Sequence, residues 1–81
     1  MEVKLFVRHD CPACAAAAHA CEGLTNLSIY DMGEVEGIAA ASSYAVRSAP
    51  SIVVVDSAGR EIAGWRGETP DPADLRAVVA N

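Results

Sequence analysis

The run Ser51-Ile52-Val53-Val54-Val55 restricts the fold more than any other stretch of the chain. Four consecutive β-branched residues favour extended backbone, and no polar position alternates with them, so the strand has to be covered on both faces. In a chain of 81 residues, long enough for one core, this predicts a central strand of a single domain, 1–81, with helices on either side.

The neighbouring segments fit around that strand. Residues 2–7, with Val3, Leu5, Phe6 and Val7, read as a first buried strand, followed by a helix from about Pro12 to Glu22. On that helix Cys14, Ala17, Ala18 and Cys21 fall at i, i+3, i+4 and i+7, one face, which should be the buried one. Gly23 is a stop signal, with Leu24 packing back. Leu27 and Ile29 alternate with Ser28 and Tyr30, giving a less buried second strand at 26–31. Met32-Gly33 turns the chain into a second helix of about 34–45, whose spacing puts Val35, Ile38, Ala39, Ser42 and Val46 on one stripe. Ala49-Pro50 ends that segment. After Ser51–Val55, Asp56-Ser57-Ala58-Gly59 makes a short hairpin loop and Arg60 to Trp65 returns antiparallel. Asp71 as N-cap, Pro72 at N1 and Asp74 at N3 then open a last helix with Leu75, Val78 and Val79 on its apolar side. The order is β-α-β-α-β-β-α, an α/β fold with a four-stranded mixed sheet and helices on both faces.

Between the first strand and the first helix lies Arg8-His9-Asp10-Cys11-Pro12-Ala13-Cys14. With Cys11 as N-cap, Pro12 falls at N1 and Cys14 at N3. Backbone N–H groups and the helix dipole would then favour a thiolate on Cys11, which is the reactive form of the group. Arg8 and His9 add positive potential beside it and Asp10 opposes it. The i, i+3 spacing brings the two sulfurs within bridging reach. Cys21, two turns deeper on the same stripe, reads as a core residue, His19 as a solvated helix residue, and Trp65 and Tyr44 as packing residues.

Composition narrows the chemistry. A net charge of −5 with six scattered basic residues argues against nucleic acid. The N-terminus lacks a signal-peptide layout and no apolar run approaches a membrane span, so a cytoplasmic protein without membrane attachment is expected. In that compartment three cysteines point to catalysis or metal binding rather than a structural disulfide framework. The metal alternative, copper or zinc on the C-x-x-C pair, is weakened by the depth of Cys21 on the same helix and by the lack of a second Cys/His pair downstream. No metal ligand is assigned.

With these elements in place, the chain resembles thioredoxin-fold proteins of glutaredoxin or mini-thioredoxin size. Val7-Arg8-His9-Asp10-Cys11-Pro12-Ala13-Cys14 is similar to the glutaredoxin active-site pattern. Its Arg-x-Asp-Cys part is closest to the glutaredoxin-like hydrogen donors of ribonucleotide reductase. Tyr44-Ala45-Val46-Arg47-Ser48-Ala49-Pro50-Ser51-Ile52-Val53 resembles the segment that carries the family's cis-proline, and Gly64-Trp65-Arg66-Gly67 the end of its last strand. The resemblance implies a dithiol–disulfide oxidoreductase that reduces protein disulfides. Cys11 would be the attacking thiol and Cys14 the resolving thiol. Arg8, Pro12, Ala49, Pro50 and Gly67 would shape the substrate site. The Cys11–Cys14 disulfide would itself be the redox group, with no organic cofactor. Two departures argue against a glutathione site. Ala13 stands where glutaredoxins usually have an aromatic residue, and Gly67-Glu68-Thr69-Pro70-Asp71 replaces their Gly- and Asp-rich segment. The expected upstream partner is therefore a thioredoxin reductase rather than glutathione, and the expected state a monomer. Thioredoxins in turn carry Trp before the first cysteine, where this chain has Asp10.

Overall fold

The structure is a computed structural model that describes residues 1–80. Its elements are β1 (Glu2–Val7), α1 (Cys14–Ala20), β2 (Leu27–Asp31), α2 (Val35–Ser43), β3 (Ser51–Val55), β4 (Glu61–Arg66) and α3 (Pro72–Val79), in the expected order. The four strands form one sheet in the order β2-β1-β3-β4. β1 runs parallel to β2, as a crossover through α1 requires. It is antiparallel to β3, with Phe6 opposite Ser51 and Leu5 opposite Ile52.

All five residues of β3 are buried, because each of its faces meets a helix layer. Val3, Leu5, Ile52 and Val54 pack with Ala17 and Cys21 from the α1 side and Leu75 of α3. Phe6, Val53 and Val55 point the other way and pack with Ala41 of α2 and with Val46. The pleat thus divides one pair of central strands between two cores. The hairpin loop after β3 is held by Asp56, whose carboxylate accepts from the Ala58 and Arg60 amides, and Gly59 takes the left-handed φ of +82° that the turn needs. Asp71 caps α3 by accepting from the Ala73 amide, with Pro72 at the first helical position.

Three expectations need correction. First, α1 begins at Cys14 with Ala13 at the N-cap, not at Pro12 with Cys11 as cap. The Cys14 amide donates back to the Cys11 carbonyl, so residues 11–14 form a tight i, i+3 turn that precedes the regular helix. Second, Ala18 is exposed on α1 and Ala20 takes its place beside Cys14, Ala17 and Cys21. Third, the buried face of α2 is Gly37 and Ala41, whereas Val35 and Ile38 stand out at 83% and 56% exposure. A Cβ on Gly37 would overlap the Asp31 carbonyl. The helix lies so close to β2 that only its small residues fit underneath, and its branched residues are left outside.

Candidate active site

Strand directions bring the candidate residues to one end of the sheet. β1 finishes there and leads into the cysteine turn, while its antiparallel neighbour β3 starts there, just after Pro50. β4, antiparallel to β3, finishes there at Arg66 opposite Ser51 and leads into Gly67. Segments far apart in sequence therefore converge on this edge.

Cys11 and Cys14 are joined in a disulfide, with their Cα atoms 5.3 Å apart. The two sulfurs differ in access: Cys11 is half-buried, whereas Cys14, on the inner face of α1, is 8% exposed. Pro12 and Ala13 between them face solvent. Cys21 is free, fully buried, and burial pushes its thiol pKa up, because the interior disfavours the thiolate. It belongs to the core, as its place on the stripe predicts.

The Ala49–Pro50 peptide bond is cis. Pro50 is buried and Ala49 half-buried. Gly67 is exposed, with a φ of +73°, and its amide donates to the Pro50 carbonyl at 2.9 Å and to the Ser51 hydroxyl at 3.2 Å. That hydroxyl donates in turn to the Ser48 carbonyl at 2.7 Å. Pro50 and Gly67 are thus one unit, and Ser51 is the residue that sequence reasoning missed. Its signal was the single hydroxyl at the head of a β-branched run, at the point where the strand leaves a turn. A side chain on Gly67 would also press on the Ser48 hydroxyl.

Arg8 lies apart from this unit. It is exposed and lines two clefts beside α2: one with Met32, Ile38, Ala45 and Arg47, the other with His9, Asp10 and Asp31. Trp65 packs against the α1 and α3 side of the core and Tyr44 against the α2 side, both as expected. Among the described residues no three His, Cys, Asp or Glu side chains gather in a way that could hold a metal ion, and no helix is long and apolar enough to cross a membrane.

No protein-family model matches the chain, and no curated protein matches it by sequence. Solved structures do match. Thioredoxin 1 from the thermophilic eubacterium Thermosipho africanus TCF52B superposes with a TM-score of 0.75 at 14% identity, over 99% of this chain and 91% of that one. Thioredoxin from Malassezia sympodialis gives 0.66 at 23% identity, over 96% and 70% of the two chains. A thioredoxin from Thermus thermophilus gives 0.66 at 21% identity with the same coverage. At these identities the likeness speaks for the backbone, and it agrees with the strand order and the helix layers: this chain has the thioredoxin fold.

Proposed function

We propose that the protein is a cytoplasmic dithiol–disulfide oxidoreductase that reduces protein disulfides through Cys11 and Cys14. The observation that carries this reading is the Cys11–Cys14 pair, bridged across a tight turn at the sheet end where Pro50 and Gly67 are bonded together. The reduced form acts as follows. The Cys11 thiolate, the more accessible of the two, attacks one sulfur of a substrate disulfide. A mixed disulfide forms and the other substrate sulfur leaves as a thiolate that takes up a proton. Cys14, deprotonated in turn, attacks Cys11 and releases the second substrate sulfur. Two electrons pass to the substrate, and the protein is left with its own disulfide.

An extended substrate segment is received by the backbone at Ala49 and Gly67, in the manner of strand addition. The Gly67 amide is already engaged with Pro50 and Ser51, which leaves the Ala49 backbone as the partner for main-chain hydrogen bonds and Gly67 as the place where no side chain obstructs them. Arg8, three residues before Cys11, and the solvent-facing Pro12 lie on the dithiol's own segment. The protein is then recharged by a flavin-dependent thioredoxin reductase rather than by glutathione, and it works as a monomer.

Reduction of insulin, followed as NADPH consumption with thioredoxin reductase, tests the reading. Turnover is expected for the wild-type chain and should fall to background in Cys11→Ser, while Cys14→Ser should accumulate a mixed disulfide visible by mass. Activity that survives in Cys11→Ser would sink the mechanism. Faster recharging by glutathione and glutathione reductase would overturn the choice of partner.

A further inference from the structure

The cleft between the end of β1 and α2 differs in charge from the rest of the molecule. It has a volume of about 470 Å³ and is lined by Met32, Ile38, Ala45 and Val46 together with Arg8 and Arg47, and by no carboxylate. The chain as a whole carries 11 acidic residues against six basic ones. Three of those six are neutralised within the molecule: Lys4 by Glu2, Arg60 by Asp56 and Arg66 by Glu61. Among the described residues the other three, Arg8, Arg47 and Arg76, form no ion pair and are exposed, and two of them, Arg8 and Arg47, line this cleft. Arg8 stands three residues before Cys11 and Arg47 three before Pro50, so both lie on the segments that lead into the cysteine turn and into Pro50 at one end of the sheet. The apolar floor of the cleft continues onto the exposed Ile38.

From this we infer that the cleft receives an acidic, otherwise apolar stretch of the substrate protein next to its disulfide, with carboxylates held by Arg8 and Arg47 and an aliphatic side chain resting on Ile38 and Met32. The inference rests on the proposed reduction of protein disulfides and narrows its substrates. Two unpaired guanidiniums lining one cleft with apolar side chains match a segment that combines carboxylates with an aliphatic residue. Arg8 also borders a second cleft, lined by His9, Asp10, Asp31 and Glu34, whose three carboxylates disfavour an acidic segment there. Complementarity of this kind raises the rate of encounter and selects among partners more than it adds affinity.

Three peptides that carry the same disulfide and differ only in a flanking Glu-Leu-Glu, Gln-Leu-Gln or Lys-Leu-Lys segment test this, with the reduced full-length chain as reductant. The Glu peptide should react roughly tenfold faster than the Gln peptide in low salt and the Lys peptide slower than both, the order expected for two surface ion pairs. The Glu preference should shrink towards one at about 0.5 M salt. The double variant Arg8→Gln/Arg47→Gln should abolish it, whereas Arg60→Gln should keep it. A redox-inert Glu peptide with Ser for Cys, titrated into the oxidised protein, should shift the NMR signals of Ile38 and Ala45, and this readout is independent of turnover. Equal rates for the Glu and Gln peptides, a preference that survives in the double variant, or no shift with the inert peptide would each overturn the docking site. So would oxidised glutathione showing the same arginine dependence, since that assigns the cleft to a small anion. Failure to reduce any of the three peptides, with the shifts intact, would instead remove the oxidoreductase reading and leave an acidic-peptide site.

Discussion

Ala45 takes a left-handed φ of +55°, the sole non-glycine residue among those described with a positive φ. The reason lies in how α2 ends. The Val46 amide donates to the Ala41 carbonyl and the Ala45 amide to the Ser42 carbonyl, the paired bonds of a Schellman cap, in which the left-handed position is usually glycine. The chain keeps alanine there. An L-residue in this conformation costs about 1–2 kcal/mol, so Ala45→Gly should stabilise the protein by about 0.5–1 kcal/mol after the entropy of the unfolded glycine is deducted. Urea unfolding would read this as a higher midpoint at unchanged slope. The sequence carried no sign of the cap, since an Ala inside Tyr44-Ala45-Val46 looks like a helix that continues. The cysteines were more legible. The Cys14, Ala17, Cys21 spacing identified the inner face of α1, and the error at Cys11 came from treating Pro12 as the first helical residue when a turn intervenes.

At the scale of elements, periodicity and cap signals located every strand and helix to within about two residues, but periodicity chose the wrong face of α2. Val35, Ile38 and Val46 have the spacing and hydrophobicity of a core stripe, yet the first two are exposed, and Val46, which does pack with Ala41, lies beyond the end of the helix. Apolar periodicity weighs how much surface a residue can bury, whereas a helix pressed onto a strand edge selects residues that leave room. Gly37 is the consequence, and it supplies a test. On propensity alone Gly37→Ala should stabilise α2 by about 1 kcal/mol. Because the new methyl meets the Asp31 carbonyl, the variant should instead lose about 1–3 kcal/mol, the usual range for overpacking. A thermal or urea midpoint above that of the wild type would contradict this packing. The cis bond at Ala49–Pro50 was legible through the family resemblance. Ser51 was not, since its role depends on the pairing of β3 with β4, which brings Gly67 within reach of its hydroxyl.

Across the whole molecule, charge is organised in local pairs that pin strands. Glu2 accepts from the Ser28 hydroxyl and from Lys4, which ties β1 to the sheet edge β2. Lys4 also lies over the Tyr30 and Tyr44 rings. Glu61 receives both nitrogens of Arg66, and Arg66 donates besides to the Tyr44 carbonyl that ends α2. The hydrogen bonds from Ser28 and Lys4 hold the Glu2 carboxyl below its ordinary value, and that from Arg66 does the same for Glu61. A depressed carboxyl pKa contributes stability that is complete above the unfolded value and is lost as pH falls through the folded one. Stability should therefore decline as pH drops below about 4.5, and the decline should be shallower in Glu61→Gln. Chemical denaturation at a series of pH values between 6 and 3 would show it, and an unchanged slope in the variant would remove Glu61 from the account.

The hydroxyl of Ser51 bonds forward to the Gly67 amide and back to the Ser48 carbonyl, so the turn before β3 and the end of β4 are clamped to each other before any partner arrives. A surface that is already rigid has little conformational entropy left to lose on association. Under the proposed function, an incoming disulfide would find its landing place preorganised, with most of the mobility that must be frozen belonging to the guest rather than to the host.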